Sequence, residues 1–169
     1  FYLNNYDNLV TVFKQNADSF LTSVKQDYEV VIVTNSRTYK VGKKIQELSS
    51  DHSDIPIQGN ARKNVLDPEL KEVEASVEKP GFQRPLYLRR RNYWEQLSTL
   101  REERGLHSNQ VAVIGDIYEL DLLLPEHLGM RIILTRTEGS SPLEINAVKS
   151  YHRGYVAETL DQVLDYLKG

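Results

Sequence analysis

Two apolar runs, each breaking into a polar turn just before a helical pattern, constrain this chain more than any other feature. In Val113-Ile114-Gly115-Asp116-Ile117-Tyr118-Glu119-Leu120-Asp121, apolar residues run into a Gly-Asp turn, and a second Asp follows where a helix begins. Val30-Val31-Ile32-Val33-Thr34-Asn35-Ser36 ends a continuous β-branched run that starts near Tyr28. Continuous apolar strands that lead into helices belong to parallel sheets covered on both faces.

The remaining pattern alternates in the same way. Leu9, Val10, Phe13, Ala17, Phe20, Leu21 and Val24 recur at three- and four-residue steps and predict a helix. Val41, Ile45 and Leu48 predict a second helix, and residues 55–58 a short strand. Residues 59–83 give only the turn signals Asp67-Pro68 and Lys79-Pro80-Gly81. Leu88, Trp94, Leu97 and Leu100 predict a helix over about 85–104 that stops at Gly105. Strands follow at 111–114 and 131–134, with a helix near 120–127 between them. Ser141-Pro142 opens a helix toward Val148. A strand at Tyr155-Val156 leads to a last helix with Thr159 as N-cap and Leu160, Val163, Leu164 and Leu167 on its apolar side. The expectation is a three-layer α/β, Rossmann-like domain with a mostly parallel sheet, one domain over residues 1–169.

Composition excludes several classes. A net charge of −3 argues against nucleic acid as the main partner, because neutralising phosphates needs a basic surface. Arg89-Arg90-Arg91 does not overturn this, since three neighbours on a helix point in different directions and at most one faces a pocket. No apolar run is long enough to span a membrane. The chain has no cysteine, so it has neither a disulfide framework nor a thiolate metal site, which suits a reducing cytoplasm. His52, His107, His127 and His152 lack metal-ligand spacing and read as surface or core residues. The chain opens on Phe1 rather than Met, as a fragment or a processed form would.

The candidate site lies at the C-terminal ends of the two apolar strands, where open α/β sheets bind ligands. Asp116 and Asp121 are hard oxygen donors suited to Mg²⁺. The bland alternative is a turn Asp followed by an Asp that favours a helix N-terminus. Glu119 is the alternative to Asp121. The Thr34 hydroxyl and the N–H groups that follow it, Asn35 first, can hold a phosphoryl oxygen. Otherwise they only shape a polar turn. Arg84, before Pro85-Leu86-Tyr87-Leu88, can neutralise a phosphate. Otherwise it is a surface arginine. Lys79 is its first rival, and Lys63 in Gly59-Asn60-Ala61-Arg62-Lys63 its second.

Taken in order, these pieces resemble the haloacid dehalogenase-like (HAD) hydrolase superfamily. Strand-Thr34 resembles that family's second motif, Arg84-Pro85 its third, and Gly115-Asp116 with Asp121 its acidic Mg²⁺ motif. The match runs from about residue 8 to 169. The resemblance implies a Rossmann-like fold and a Mg²⁺-dependent phosphatase working through an aspartyl-phosphate. It implies Asp116 and Asp121 as metal ligands, with Thr34, Asn35 and Arg84 binding phosphate and Thr34 and Arg84 also serving catalysis.

One departure bears on everything else. The family's first motif, an apolar strand ending in Asp-x-Asp that carries the nucleophile, is absent from these 169 residues. Asp7 follows only three possible strand residues, and Leu9 stands where the second acid belongs, so Asp7 is a poor nucleophile. In the family that strand lies between the second- and fourth-motif strands. Strands sit about 4.8 Å apart, so its removal leaves a slot of about 9.6 Å with unpaired backbone on both sides. Buried unpaired backbone is seldom tolerated. The expectation is a companion N-terminal segment bearing Asp-x-Asp, with direct pairing of the two strands as the refuting observation. The stretch from Thr34 to Arg84 is too short for a large α/β cap, so any cap lies upstream.

Two alternatives stay open. One is a catalytically inactive HAD-like binding or scaffolding domain, favoured by the missing motif and disfavoured by two clustered acids that want a cation. The other is a nucleotide-binding α/β domain of another family, weakened by the lack of G-x-G-x-x-G and G-x₄-G-K-[ST].

Overall fold

A computed structural model describes residues 13–169. Leu9, Val10 and Asp7 therefore lie outside the described residues. The elements in order are α1 (Ala17–Asp27), β1 (Ile32–Val33), α2 (Thr38–Leu48), β2 (Ile57–Gln58), β3 (Ser76–Val77), β4 (Leu86–Tyr87), α3 (Arg91–Glu103), β5 (Ala112–Gly115), α4 (Leu123–His127), β6 (Arg131–Thr135), α5 (Pro142–Ser150), β7 (Gly154–Ala157) and α6 (Leu160–Lys168). A single π-helical turn, Tyr118–Leu122, joins β5 to α4.

The fold is α/β and Rossmann-like, with parallel pairing in its two main ladders. In one, β6 is central and parallel to both β5 and β7, with Ile133 opposite Ile114 and Tyr155. Its side chains alternate between faces, as strand geometry requires. Ile132 and Leu134 join a core with Tyr93, Leu97, Leu123, Leu124, Ala147 and Val148, drawn from α3, α4 and α5. Ile133 joins a second core with Phe20, Val24, Val163 and Leu167, drawn from α1 and α6. These two faces make the three layers. Each fully buried Leu or Ile contributes about 1.5–3 kcal/mol, so β6 anchors both cores.

The second ladder is β1 parallel to β2, with Ile32 opposite Ile57. Among the described residues, β1 and β5 are not paired with each other, and each has a strand neighbour on one edge only. Both nonetheless face the same interior. Val33 and Val113 pack on the first core, and Val30 packs on the second. From α3, Gln96 reaches the Gly59 carbonyl after β2 at 3.0 Å, and Tyr93 reaches the Asp121 carbonyl after β5 at 2.7 Å. Ile114 stays 39% exposed although its neighbours on β6 are fully buried.

Several boundaries differ from the sequence reading. The first helix starts at Ala17, behind Asn16 in a left-handed conformation. The 28–33 run is a strand only at Ile32–Val33, where β2 pairs with it. The helix expected over 85–104 begins at Arg91. Leu86 and Leu88 are buried and Tyr87 is exposed, a two-residue period, and Leu86–Tyr87 pairs antiparallel with Ser76–Val77. Pro85 and the apolar pair 86 and 88 suit either period, and the β3 partner decides between them. The C-terminal half follows its local signals. Ser141 and Glu144 form a reciprocal capping box with Pro142 in the first turn, and Thr159 caps α6 through Gln162.

Glu144 also accepts the Tyr118 backbone N–H at 3.1 Å, tying α5 to the π-turn. Ser141→Ala is expected to lower unfolding free energy by about 1 kcal/mol. Glu144→Ala should cost more, because it also strands the Tyr118 N–H. Urea denaturation of both variants checks the order, and equal losses would mean that the link to Tyr118 contributes nothing.

Candidate active site

The site is assembled where β1, β2 and β5 end. Asp116 follows Gly115 at the end of β5, and Asp121 sits in the π-turn. Gly115 is required by close approach, since a Cβ there would lie 2.4 Å from the Cβ of Asp121. Without that side chain, Asp121 folds back over the strand end, and its Oδ2 accepts the Ile117 N–H at 3.1 Å. The two carboxylates are thereby crowded together. Partial burial, and then the charge of Asp121, push the Asp116 carboxyl above the ordinary value of 3.8.

The cation beside this pair is Lys63. Its Nζ lies 2.9 Å from Asp121 Oδ1, with both side chains largely buried at 11% and 15% exposure. It also stands 4.8 Å over the Tyr93 ring. The backbone delivers it there. Asn60 and Arg62 both take positive φ, 56° and 47°, turning the chain twice within four residues. Ala61 N–H bonds to Thr34 O at 2.9 Å, and Lys63 N–H bonds to Asn35 Oδ1 at 2.7 Å. The loop after β2 is thus laced onto the loop after β1. Gly59 permits this, because a Cβ would come within 2.5 Å of Thr38 N.

Thr34 ends β1, and its Oγ1 accepts the Ser36 N–H at 3.1 Å. That bond occupies a lone pair and leaves the hydroxyl hydrogen to donate elsewhere. Arg84 lies further out. Its two terminal nitrogens grip both oxygens of Glu119, at 3.1 and 2.7 Å. Lys79 pairs with Glu126, which also accepts the Tyr118 hydroxyl at 2.5 Å. Of the three cations weighed from sequence, Lys63 is the one the structure places on the acidic pair. Its turn carries no periodic signal, and its aim is set by two left-handed residues that are not glycine.

Sequence reasoning did not find Arg90 or the role of Glu119. Arg90 precedes α3 and is buried, donating to the carbonyls of Lys63 and Tyr87, with Glu119 Oε1 at 3.7 Å from its guanidinium. Burial lowers its pKa and Glu119 opposes that shift, so it stays a fixed cation. Tyr93 is held protonated by burial, and it donates to the Asp121 carbonyl.

Among the described residues, no three acids, histidines or cysteines converge on a metal position. Two carboxylates fit Mg²⁺, which is commonly bound by one or two carboxylates with waters and phosphate oxygens completing its shell. Burial first, and the charge of Asp121 second, disfavour the ionised Asp116, and a bound cation would favour it.

Residues 91–163 match the family model described as HAD-hydrolase-like. No curated protein matches the chain. The matched stretch runs from the start of α3 into α6, contains Asp116 and Asp121, and bears out the resemblance read from sequence over that range. Over that range the chain is similar to HAD-type hydrolases. Among the described residues, no helix is long and apolar enough to cross a membrane.

Crowding at Asp116 gives a signed expectation. A carboxyl with a raised folded-state pKa contributes its full stability below 3.8 and loses it as pH climbs through the raised value. In chelator, Asp116→Asn should therefore unfold at higher temperature than the parent at neutral pH, with the difference shrinking toward pH 3.8. A variant less stable than the parent at neutral pH would mean that partners hold the carboxylate.

Proposed function

We propose that this chain is the core of a Mg²⁺-dependent phosphomonoester hydrolase of the HAD type. The observation that carries the reading is the junction of Lys63 with Asp121 beside Asp116, laced to Thr34 and Asn35 through one loop. Asp116 and Asp121 would hold Mg²⁺ directly or through water, and the ion would shield phosphate charge. The Thr34 hydroxyl donates to a phosphoryl oxygen, and the Asn35 backbone N–H supports a second contact. Lys63 keeps Asp121 oriented and offsets the charge that builds on phosphorus. The role first read into Arg84 passes to Lys63, on the strength of its position.

The nucleophile is an Asp outside these 169 residues, on an extended segment that pairs with the open edges of β1 and β5. The edges left unpaired among the described residues, and the exposed Ile114 beside buried neighbours on β6, support that placement. A parallel strand there would end beside Thr34 and Asp116, since β1 and β5 end there. The Asp would attack phosphorus to give an aspartyl-phosphate, which water then hydrolyses.

A specific observation favours a second reading, a binding domain without catalysis. Lys63 already neutralises Asp121. Measurements on the complete polypeptide separate the two readings. Asp116→Asn should abolish Mg²⁺-dependent hydrolysis of p-nitrophenyl phosphate and the thermal stabilisation by Mg²⁺. Lys63→Met should cost about 10²–10³ in kcat. Retention of most activity in Asp116→Asn would refute the metal assignment. Mg²⁺ stabilisation of the parent with no turnover would favour the binding domain.

A further inference from the structure

The segment between β3 and β4 is pinned to the rim of the site by contacts of several kinds. Lys79 pairs with Glu126, the Phe82 ring lies 6.3 Å from that of Tyr118, and Arg84 grips Glu119. Gly81, at φ 87°, passes so close to α5 that a Cβ would lie 2.7 Å from Leu143 Cδ2. Beneath this tip is a cleft of about 480 Å³, lined by Glu78, Lys79, Pro80, Phe82, Arg84 and Pro85, among others. That volume falls within the range of small-molecule sites, and the lining sets Pro80, Phe82 and Pro85 beside the charged Glu78, Lys79 and Arg84.

The charges at its inner edge do not balance pairwise. Glu119 is a single carboxylate facing two guanidiniums, Arg84 at 2.7 Å and Arg90 at 3.7 Å. Both arginines remain protonated at any working pH. Lys79 does not add to the excess, because Glu126 takes its charge. Glu78, also at the cleft, is exposed and screened by water. Arg90 is buried and its guanidinium is committed to backbone carbonyls, so the unbalanced charge is presented outward by Arg84, which is 58% exposed. Among the described residues, the Arg84 bonds to Glu119 and Pro85 use three of its five N–H donors. Glu119 shares the π-turn with Asp121, and Arg90 beside it donates to the carbonyl of Lys63, the residue paired with Asp121, so Arg84 is linked to the acidic pair through this turn.

We propose that the cleft holds the leaving group of the substrate and that Arg84 binds a second anionic group on it. The substrate class is then a small phosphomonoester bearing a carboxylate or a second phosphate. This inference rests on the hydrolase reading and narrows it. Glu119 acts as the positioning residue that aims the guanidinium.

The test is competition of each probe against p-nitrophenyl phosphate turnover in Mg²⁺ by the complete polypeptide, which reads the apparent affinity of probes that are themselves hydrolysed. The probes are ω-phosphooxy carboxylic acids of increasing chain length, each paired with the alkyl phosphate of the same length. At the best length the acid should bind at least about tenfold more tightly than its alkyl partner, the worth of one charge-assisted contact. Arg84→Gln should bring that ratio close to one, and Arg84→Lys should restore part of it. Equal affinity for acid and alkyl phosphate in the parent, or an unchanged ratio in Arg84→Gln, would overturn the proposal while leaving the hydrolase reading standing. Failure of every probe to compete would overturn it likewise, and absence of turnover in the parent would sink both.

Discussion

Lys63 and Asp121 join two halves of a sheet that share no strand pairing among the described residues. One half is β1 with β2, the other β5 through β7. Lys63 belongs to the first half through its N–H bond to Asn35, and Asp121 to the second through Ile117 and the close approach of Gly115. A largely buried ion pair is a poor source of net stability, because desolvation offsets most of its attraction. Its value here is geometric. Hydrogen bonds from α3 to the loop after β2 and to Asp121 hold the same two halves from one face, so the pair closes a joint that packing has already brought near.

That joint also sets the electrostatics of the site. Asp116 and Asp121 lie at one strand end, and among the described residues only Asp121 has a cation bonded to its side chain. The unbalanced member is Asp116, whose carboxyl is pushed up by burial and by its neighbour. A few residues away the imbalance is reversed, with two guanidiniums on Glu119. The site therefore has an acidic pole and a basic pole, separated by the π-turn that carries both Glu119 and Asp121. An extra residue per turn shifts side chains relative to an α-helix, and such turns are frequent at functional sites. Here the turn sends Asp121 back over Gly115 while Glu119 meets the arginines.

Legibility from sequence followed how local each determinant is. The strands β5, β6 and β7 and the helices α5 and α6 were legible because caps, apolar runs and turn residues lie within a few positions of one another. Asp116 and Asp121 were legible as a pair for the same reason. The β3–β4 hairpin was not, since Leu86 and Leu88 fit either period until Ser76 and Val77 supply a partner. Lys63 was visible only as a third choice. Its approach to Asp121 depends on two left-handed residues and on a hydrogen bond to Asn35, far earlier in the chain. Arg90 was hidden between two identical neighbours, and burial distinguishes it.

The open edges of β1 and β5 follow from the same logic at a larger scale. A strand so short as β1 has little ladder of its own, yet Val30 and Val33 are spent on opposite cores, as in a strand inside a covered sheet. On β5, Ala112 and Ile114 are exposed, whereas Ile132, Ile133 and Leu134 of the neighbouring β6 are buried. Edge strands in folded proteins are commonly charged, covered or interrupted, and among the described residues β1 and β5 each keep one edge with no strand partner. The proposed companion segment would pair at these edges, and the polar ends of β1 and β5 are where it would deliver its last side chains.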